Sequence, residues 1–313
     1  MSEEKSLAKL LEEKLFSEKK NGMLKLSDDE TAKVDEFCED YKHYLDNAKT
    51  EREAVNAAIE IAKANGFKEY DRSAKYTAGE KVYYNNRGKS VILCVFGTEP
   101  LENGVKISAA HIDSPRLDLK ANPVYESNDL CLLKTHYYGG IKKYQWATIP
   151  LALHGVIFKA DGTKVEVCIG EKDDDPVFMV TDLLPHLAQE QSKRTLSEGI
   201  KGEELNVLIG SRPFKDDDVS EKVKLNILSL LFDKYGIVED DFVSAELEVV
   251  PAFKAKDVGL DRGLVGGYGQ DDRVCAYTAL RAILDGNNPK STCITVHTDK
   301  EEIGRVGNTG LEP

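Results

Sequence analysis

The spacing of hydrophobic residues changes along the chain, and each change predicts a different kind of element. The first 65 residues are expected to be helical, because two Ser/Thr-x-x-Glu pairs match the capping box that begins a helix. These pairs are Ser27 with Glu30 and Thr50 with Glu53. The second helix is expected to end at Asn65-Gly66. Short apolar runs over residues 82–84, 91–96 and 105–110 then predict strands.

The middle of the chain has the spacing of β structure. Apolar runs at residues 156–158 and 165–167 flank Asp161-Gly162, which is a strong hairpin signal. Residues 191–204 are polar and predict a long surface loop. Between residues 243 and 249 apolar and polar side chains alternate, which predicts a strand with one solvent-exposed face.

After this β-rich part the chain returns to an α/β pattern. Residues 265–270 are rich in glycine and lead into Asp271, and residues 272–284 predict a helix with an apolar stripe. The run 292–296 predicts a buried strand, and Glu301-Glu302 follow it. Helices, strands and polar residues at strand ends together form the pattern of an α/β enzyme.

Length and composition favour a soluble globular protein with one large domain or two ordinary ones. The 313 residues are 41% hydrophobic and 31% charged, which allows a sizeable core. The formal charge of -13 argues against nucleic acid or an anionic membrane as a partner, because both would repel the chain. The N-terminus has no signal-peptide core, and no run approaches the roughly 18 apolar residues that span a bilayer. Six scattered cysteines predict free thiols in a reducing compartment, so we expect a cytoplasmic protein.

A histidine and an aspartate stand at the end of one predicted strand. His111 and Asp113 are two residues apart, so their side chains are expected on the same face of the strand. Asp113 would then accept the second ring proton of His111, which raises the basicity of the imidazole toward a metal. The alternative is a hydrogen-bonded core histidine beside an unrelated aspartate.

Three more carboxylates extend this chemistry. In the pair Glu301-Glu302, one carboxylate can hold a metal while its neighbour takes a proton from the attacking water. Asp271 precedes a predicted helix, where the helix N-terminus stabilises a carboxylate that can bridge two cations. The alternative for Asp271 is a plain N-cap. The preceding glycines lack the spacing and the lysine of a nucleotide loop, which excludes that function.

Five short segments, in nearly colinear order from near residue 50 to the end of the chain, resemble those of one enzyme family. The segments are residues 110–116, 138–146, 184–187, 268–273 and 299–304, which read AHIDSPR, YGGIKKYQW, LPHL, YGQDDR and DKEEIG. Through them the chain is similar to the aspartyl aminopeptidase / aminopeptidase I family of dinuclear zinc metallopeptidases.

The resemblance implies a metal site with two zinc ions per subunit, in which cobalt or manganese can replace zinc. His111 matches the first metal ligand, Asp271 the carboxylate that bridges the two metals, and Glu302 a ligand of the second metal. Asp272 matches a supporting residue beside the bridge. The family supplies two further ligands, an aspartate and a histidine, downstream of the Glu-Glu segment, and these are expected to lie outside this chain. The chain is therefore expected to be the N-terminal two-thirds of such an enzyme, as a fragment or a natural short form.

The resemblance also implies the catalytic residues. Glu301 matches the general base and Asp113 the catalytic carboxylate behind His111, in the hydrolysis of the bond that follows a peptide's N-terminal residue. His186 matches a residue of the inserted domain that reaches a neighbouring active site, so it is expected to contact substrate. Arg305 stands where the family commonly has a small residue, and its guanidinium is expected to disfavour cation binding.

From these observations we expect an α/β fold with a mixed-sheet zinc-peptidase domain, formed by residues 1–120 and 250–313. An inserted β-rich dimerisation domain is expected over residues 121–249. The resemblance further implies short peptides as substrates and a homo-oligomer, built from dimers and extending to a dodecamer. The alternatives are a catalytically incomplete fragment, a non-catalytic assembly subunit, or a related metal-dependent carboxypeptidase or amidohydrolase.

Overall fold

The computed structural model of the protein describes residues 6–17 and 19–312, which contain five α-helices and fourteen strands. The helices are α1 Leu7–Leu15, α2 Asp28–Asn47, α3 Glu51–Ala64, α4 Lys222–Tyr235 and α5 Gln270–Leu284. The first eight strands are β1 Lys68–Glu69, β2 Lys81–Asn86, β3 Ser90–Val95, β4 Lys106–His111, β5 Arg116–Ser127, β6 Leu130–Tyr138, β7 Leu151–Phe158 and β8 Lys164–Ile169. The others are β9 Met179–Val180, β10 Val207–Gly210, β11 Ala245–Pro251, β12 Lys256–Val258, β13 Leu264–Gly266 and β14 Cys293–Thr298.

The chain divides into two compact units, residues 1–41 and residues 42–313. The smaller unit contains α1 and the beginning of α2, where the Ser27 and Glu30 side chains cap each other's backbone as predicted. The strands and helices that form the site described below belong to the larger unit. There the capping box of Thr50 and Glu53 begins α3, as predicted from the sequence.

A five-stranded sheet in the order β1-β2-β3-β14-β4 forms the first half of the larger unit. The sheet is mixed: β14 runs parallel to β4 and antiparallel to β3. Helices α3 and α5 pack on it and bury their apolar stripes, including Ala58 and Ile59 of α3 and Leu280 of α5. The predicted mixed α/β fold is therefore confirmed.

A seven-stranded sheet in the order β8-β7-β11-β5-β6-β10-β9 forms the second half. All its strands lie between Arg116 and Pro251, close to the predicted β-rich segment, and the predicted hairpin around Asp161-Gly162 joins β7 to β8. Its buried core packs against α4. The division of the chain into a peptidase domain and an inserted dimerisation domain stays a prediction.

The prediction that the polar side chains of residues 243–249 face solvent is wrong at one position. Strand β11 begins at Ala245, and Glu248 is buried on it although it occupies a polar position of the alternation. Burial is tolerated because the Arg116 guanidinium from β5 lies 3.4 Å from the Glu248 carboxylate. The buried carboxylate nevertheless has a strongly raised pKa, because burial and the neighbouring Glu51 both disfavour its charge.

Two further observations concern membrane spans and cysteines among the described residues. Within the part of the chain that the structure describes, no helix is long and apolar enough to cross a membrane. The cysteines at positions 94, 131, 168, 275 and 293 are free thiols, as the scattered spacing predicts.

Candidate active site

The parallel pairing of β4 and β14 brings two chemically rich strand ends together. His111 is the last residue of β4 and pairs with Thr298, the last residue of β14. Lys300 then takes a left-handed backbone conformation, and residues Glu301–Ile303 form one 3-10 turn. The two glutamates therefore lie at the sheet edge where His111 ends its strand, as expected for strand ends that carry chemistry.

Asp113 is the organising residue of this edge. Its fully buried carboxylate accepts the backbone N–H of Glu301 at 3.2 Å through Oδ1 and that of Glu302 at 3.1 Å through Oδ2. The Tyr138 hydroxyl also donates to Oδ2, at 2.8 Å. Burial alone would raise the pKa of Asp113, but hydrogen bonds from His111, Tyr138 and the Glu302 backbone lower it overall. Asp113 thus remains a carboxylate that fixes the position of the Glu-Glu turn.

His111 connects Asp113 to the open part of the site. Its Nδ1 lies 3.0 Å from the Asp113 carbonyl oxygen and 3.3 Å from the Asp113 carboxylate. Burial disfavours the imidazolium and lowers the pKa of His111. The hydrogen bond and the charge of the Asp113 carboxylate outweigh this effect of burial and raise the pKa of His111 to about 9. On the other side of the ring, Nε2 lies 3.1 Å from Asp271 Oδ1 and 3.9 Å from Glu301 Oε2. The predicted support of His111 by Asp113 is present, through both the carbonyl and the carboxylate.

Asp271 reaches His111 from the start of α5. Its backbone and that of Asp272 are non-helical, and its side chain is 85% exposed and lies 3.1 Å from His111 Nε2. The Ser114 hydroxyl donates to the Asp271 carbonyl at 2.9 Å, which fixes this residue against the end of β4. Asp272 lies close enough to His111 for its charge to help raise the pKa of the imidazole. In the structure the N-cap position of α5 is Gly269, two residues before Asp271.

A buried arginine supports the loop that leads into Asp271. Arg273 is buried and donates through Nη2 to the Lys49 carbonyl at 3.0 Å. Gly269 has a left-handed backbone with φ of 79°, and a methyl group on it would overlap the Arg273 guanidinium. Only glycine meets both requirements, so Gly269 sets the approach of the loop to the site.

Sequence reasoning assigned no role to Tyr138, which links the site to a buried ion cluster. The Arg116 guanidinium lies 3.8 Å from the centroid of the Tyr138 ring, within the range of cation–π attraction. Arg116 Nη1 donates to Glu51 at 3.1 Å and Nε to Asp118 at 2.7 Å. The feature of the sequence that could have indicated this role is the position of Tyr138, an aromatic residue directly before the glycine pair in the segment YGGIKKYQW.

The same glycine pair makes room for Glu302. A Cβ on Gly139 would lie 3.0 Å from Glu302 Oε2, and the Gly140 backbone hydrogen-bonds the Glu302 carboxylate. Burial, with the nearby Asp113 charge, raises the pKa of Glu302. The glycine pair of the segment YGGIKKYQW therefore lies against the second glutamate.

Glu301 has a different partner on each oxygen. Its Oε1 accepts from Arg305 Nη2 at 2.7 Å and from Arg305 Nε at 3.2 Å, while Oε2 faces His111. The Arg305 side chain is half exposed, so this ion pair is in contact with solvent. Arg305, whose guanidinium is expected from the sequence to disfavour cation binding, is thus bound to Glu301, the residue that matches the family's general base.

The donors fit zinc by their chemistry but form only part of a coordination set. An imidazole nitrogen and a carboxylate oxygen bound to one tetrahedral zinc at about 2.0–2.2 Å lie roughly 3.3 Å apart, close to the observed separation of His111 and Asp271. Within residues 6–17 and 19–312, however, no three His, Cys, Asp or Glu side chains are grouped so that they can hold a metal. His186 is exposed on the segment between β9 and β10.

Comparison with known proteins gives a consistent result. A family model described as Aminopeptidase I zinc metalloprotease (M18) matches residues 44–313. A Clostridium acetobutylicum protein named "Probable M18 family aminopeptidase 1" is 54% identical over 302 residues, which are 95% of this chain and 65% of that protein. A Thermotoga maritima protein of the same name is 49% identical over 279 residues, 89% of this chain and 61% of that protein. The chain therefore spans just under two thirds of the length of these relatives.

Solved structures share the fold. The crystal structure of an M18 family aminopeptidase from Thermotoga maritima has a TM-score of 0.89 at 47% identity, covering 94% of this chain and 64% of that one. Aminopeptidase I from Borrelia burgdorferi has a TM-score of 0.82 at 42% identity, covering 91% and 66%. A more distant yeast structure, the mApe1 dodecamer, has a TM-score of 0.66 at 18% identity, covering 87% and 62%, and shares the fold.

Proposed function

The chain belongs to the family of aminopeptidase I zinc metalloproteases, and from this premise we propose that it forms the base-bearing part of an aminopeptidase. The proposed reaction is hydrolysis of the peptide bond after the N-terminal residue of short peptides. The convergence of His111, Asp271 and Glu301 on one edge of the five-stranded sheet is the observation that carries this proposal.

Three residues are proposed as metal ligands. His111 and Asp271 would share one zinc ion, with Asp271 extending to a second ion that Glu302 also binds. Bound zinc would polarise the substrate carbonyl and lower the pKa of water, as it does in other hydrolases. Two ions per subunit, and replacement by cobalt or manganese, are part of the proposal. Because catalytic zinc normally has three protein ligands, further donors must come from outside the described residues.

Glu301 is proposed as the general base. Its Oε2 faces the imidazole of His111 and is the oxygen free to take a proton from the attacking water, since Arg305 occupies Oε1. The same carboxyl would then give the proton to the leaving amine. Asp113 acts as a positioning residue here, because it binds the backbone N–H of Glu301 and orients the ring of His111. Asp272 assists by its charge near the imidazole.

Assembly and location complete the proposal. A homo-oligomer built from dimers is proposed by analogy with the relatives, among which a yeast structure is described as a dodecamer. His186, on an exposed loop, would contact substrate at a neighbouring subunit's site. The free cysteines favour a cytoplasmic location.

The decisive experiment combines metal content with activity for wild type and two variants. Elemental analysis after dialysis should find about two zinc ions per chain when the site is complete, and aminoacyl p-nitroanilides should be hydrolysed while their N-acetylated forms are not. Glu301→Gln should abolish hydrolysis and keep the metal, because only the base is lost. His111→Ala should lose both. Activity in Glu301→Gln would refute the role of Glu301, and cleavage of N-acetylated substrates would indicate an amidohydrolase or carboxypeptidase instead.

A second candidate is a non-catalytic or catalytically incomplete form of the same fold. Two observations favour it: the donor set is partial, and Arg305 is bound to Glu301. Stable protein with near-zero zinc and no hydrolysis in the experiment above would select this candidate.

A further inference from the structure

The short connection between α2 and α3 is buried although it carries two charged residues. Ala48, Lys49, Thr50 and Glu51 are each at most 3% exposed. The capping box of Thr50 explains where α3 begins, but it does not explain the charged residue on either side of the cap. Buried charges are costly unless they are paired, so the partners of these two residues indicate what the connection holds together.

Lys49 binds through both its side chain and its backbone. The ammonium donates to the carbonyls of Pro251 at 2.8 Å and Phe253 at 3.0 Å, and it lies 3.0 Å from the Glu171 carboxylate. The backbone carbonyl accepts from the buried Arg273 guanidinium at 3.0 Å. Lys49 therefore joins the end of β11 and the segment after β8 to the beginning of α5.

The loop of Asp271 depends on this contact. Arg273 follows Asp271 by two residues, and its Nε and Nη1 have no hydrogen-bond partner among the described residues. The bond to the Lys49 carbonyl is therefore the hydrogen bond that fixes the guanidinium. Because the backbone of Gly269 lies against this guanidinium, a shift of Arg273 would also move the loop that carries Asp271.

Glu51 connects the same short segment to the Glu-Glu turn. Its carboxylate accepts from Arg116 Nη1 at 3.1 Å and lies 2.9 Å from Lys89 Nζ. Burial alone would raise the pKa of Glu51, but the charges of these two cations lower it to about 2. The Arg116 guanidinium lies on the ring of Tyr138, whose hydroxyl binds Asp113. This series of contacts ends at the carboxylate that accepts the backbone N–H groups of the turn.

Lys89 provides a second route from Glu51 to the turn. It lies between β2 and β3, and its ammonium is 4.0 Å from the carboxylate of Asp299, which is buried. Asp299 accepts the backbone N–H of Lys300 at 2.8 Å and the hydroxyl of Thr309 at 3.2 Å. Asp299 thus fixes the residue that precedes Glu301, with its charge offset by Lys89.

We propose that Lys49 and Glu51 are positioning residues of the candidate active site, which fix the loop of Asp271 and the turn of Glu301 from one buried connection. Lys49 acts through Arg273, and Glu51 acts through Arg116 and Lys89. The catalytic meaning of this inference rests on the proposed function. The positioning itself is a property of the folded chain, and it can be measured without zinc or substrate.

Hydrogen exchange of the zinc-free 313-residue chain, followed by mass spectrometry, tests the positioning directly. Glu51→Gln and Lys89→Met each remove one charge of the ion cluster. Both should speed exchange in residues 299–305 at least about fivefold, since the contacts that hold the turn lose a charged partner. The Lys89 side chain is 17% exposed, so Lys89→Met carries the test if the chain with Glu51→Gln does not fold.

Lys49→Met tests the other arm. It removes the ammonium that ties the connection to β11, and the carbonyl that binds Arg273 is then free to move. Exchange should rise more in residues 266–273, which carry Asp271, than in residues 299–305. This is the reverse of the pattern expected for Lys89→Met.

Two matched controls come from the exposed side of α3. Glu60→Gln and Lys63→Met remove the same kinds of charge from a solvent-exposed ion pair, and both should exchange like wild type. Helix α4 is the internal reference, because a variant that only destabilises the whole chain would speed exchange there as well.

Two results would overturn the proposal. One is wild-type exchange of residues 299–305 in Lys89→Met, or of residues 266–273 in Lys49→Met. The other is an equal acceleration in α4, which would show that these residues support the fold alone.

Activity is measured in parallel on aminoacyl p-nitroanilides. Lys89→Met should lower kcat about tenfold and leave KM nearly unchanged, because the base is displaced while the contacts of the substrate remain. An inactive wild type with the expected exchange pattern would refute the proposed catalysis and leave the positioning intact. Wild-type kcat in Lys89→Met, despite faster exchange of the turn, would overturn its role in the reaction.

Discussion

Replacing Tyr138 by Phe removes a single hydroxyl from the centre of the candidate site and tests whether Asp113 organises it. The Tyr138 hydroxyl donates to Asp113 Oδ2 at 2.8 Å, and both side chains are buried. Water is poorly placed to replace that donor, so one lone pair of a buried carboxylate loses its partner. The ring and its contact with the Arg116 guanidinium remain.

The expected magnitude follows from the charge of the acceptor. A hydrogen bond to a charged group contributes about 1.5–3 kcal/mol, so Tyr138→Phe should lower the free energy of unfolding by roughly that amount. Tyr137→Phe is the matched control, because Tyr137 is exposed and stacks on His136. Its effect should stay within about 0.5 kcal/mol, as for other surface changes.

Urea unfolding followed by the fluorescence of Trp146, the one tryptophan of the chain, measures both variants. Trp146 is buried beside the seven-stranded sheet, so its emission should change on unfolding. Hydrogen exchange adds a local readout: the amides of Glu301 and Glu302, which donate to Asp113, should exchange faster in Tyr138→Phe. Equal stability of the two variants, with unchanged exchange at the Glu-Glu turn, would refute the view that Asp113 depends on Tyr138.

Three further predictions concern the loop, the ion pair and pH. Gly162→Ala should lower the free energy of unfolding, measured in urea, by about 1–2 kcal/mol, because of its left-handed backbone alone. Gly269→Ala should lower it clearly more, because its methyl group also displaces a buried guanidinium. Equal losses of stability in the two variants would contradict this. Arg305→Ser should tighten zinc binding in calorimetric titration by about two- to fivefold, since Glu301 loses a competing exposed cation, and weaker binding would show that Arg305 supports the site. Burial lowers the pKa of His154, but its hydrogen-bond partners, including two glutamates, raise it to about 11. Its stabilising charge is therefore fully present below about pH 6.5 and is lost as pH rises toward 11, so the stability difference between wild type and His154→Gln should shrink from pH 7 to 10.

The location of the site was predictable because it depends on local patterns. Apolar runs at 105–110 and 292–296 predict strands, and each run is followed within a few residues by the side chains that carry chemistry. Strands β4 and β14 form where these runs lie, and their parallel pairing places His111 next to Glu301. The sequence does not specify that pairing, but a shared edge follows from α/β architecture.

The supporting residues were not predictable, because their roles depend on contacts between distant parts of the chain. Nothing near Tyr138 in the sequence indicates that its hydroxyl binds Asp113. Alternation identifies two faces of β11 but does not tell which face is covered, so Glu248 was expected in solvent. It is buried because Arg116, from another strand, lies beside it. Residues with such non-local partners are visible only in the folded chain.

The charges of the candidate site bear on how it would bind a cation. Burial, together with the Asp113 charge, raises the pKa of Glu302. Asp113, Asp271, Glu301 and Glu302 concentrate negative charge at one edge of a chain whose formal charge is -13. Two groups offset it: the His111 imidazolium and the Arg305 guanidinium. A metal that used His111 as a ligand would have to displace its proton, because only the neutral imidazole binds metal. Metal binding at this edge would therefore exchange one cation for another, and it would compete with the His111 proton and with the Arg305 guanidinium.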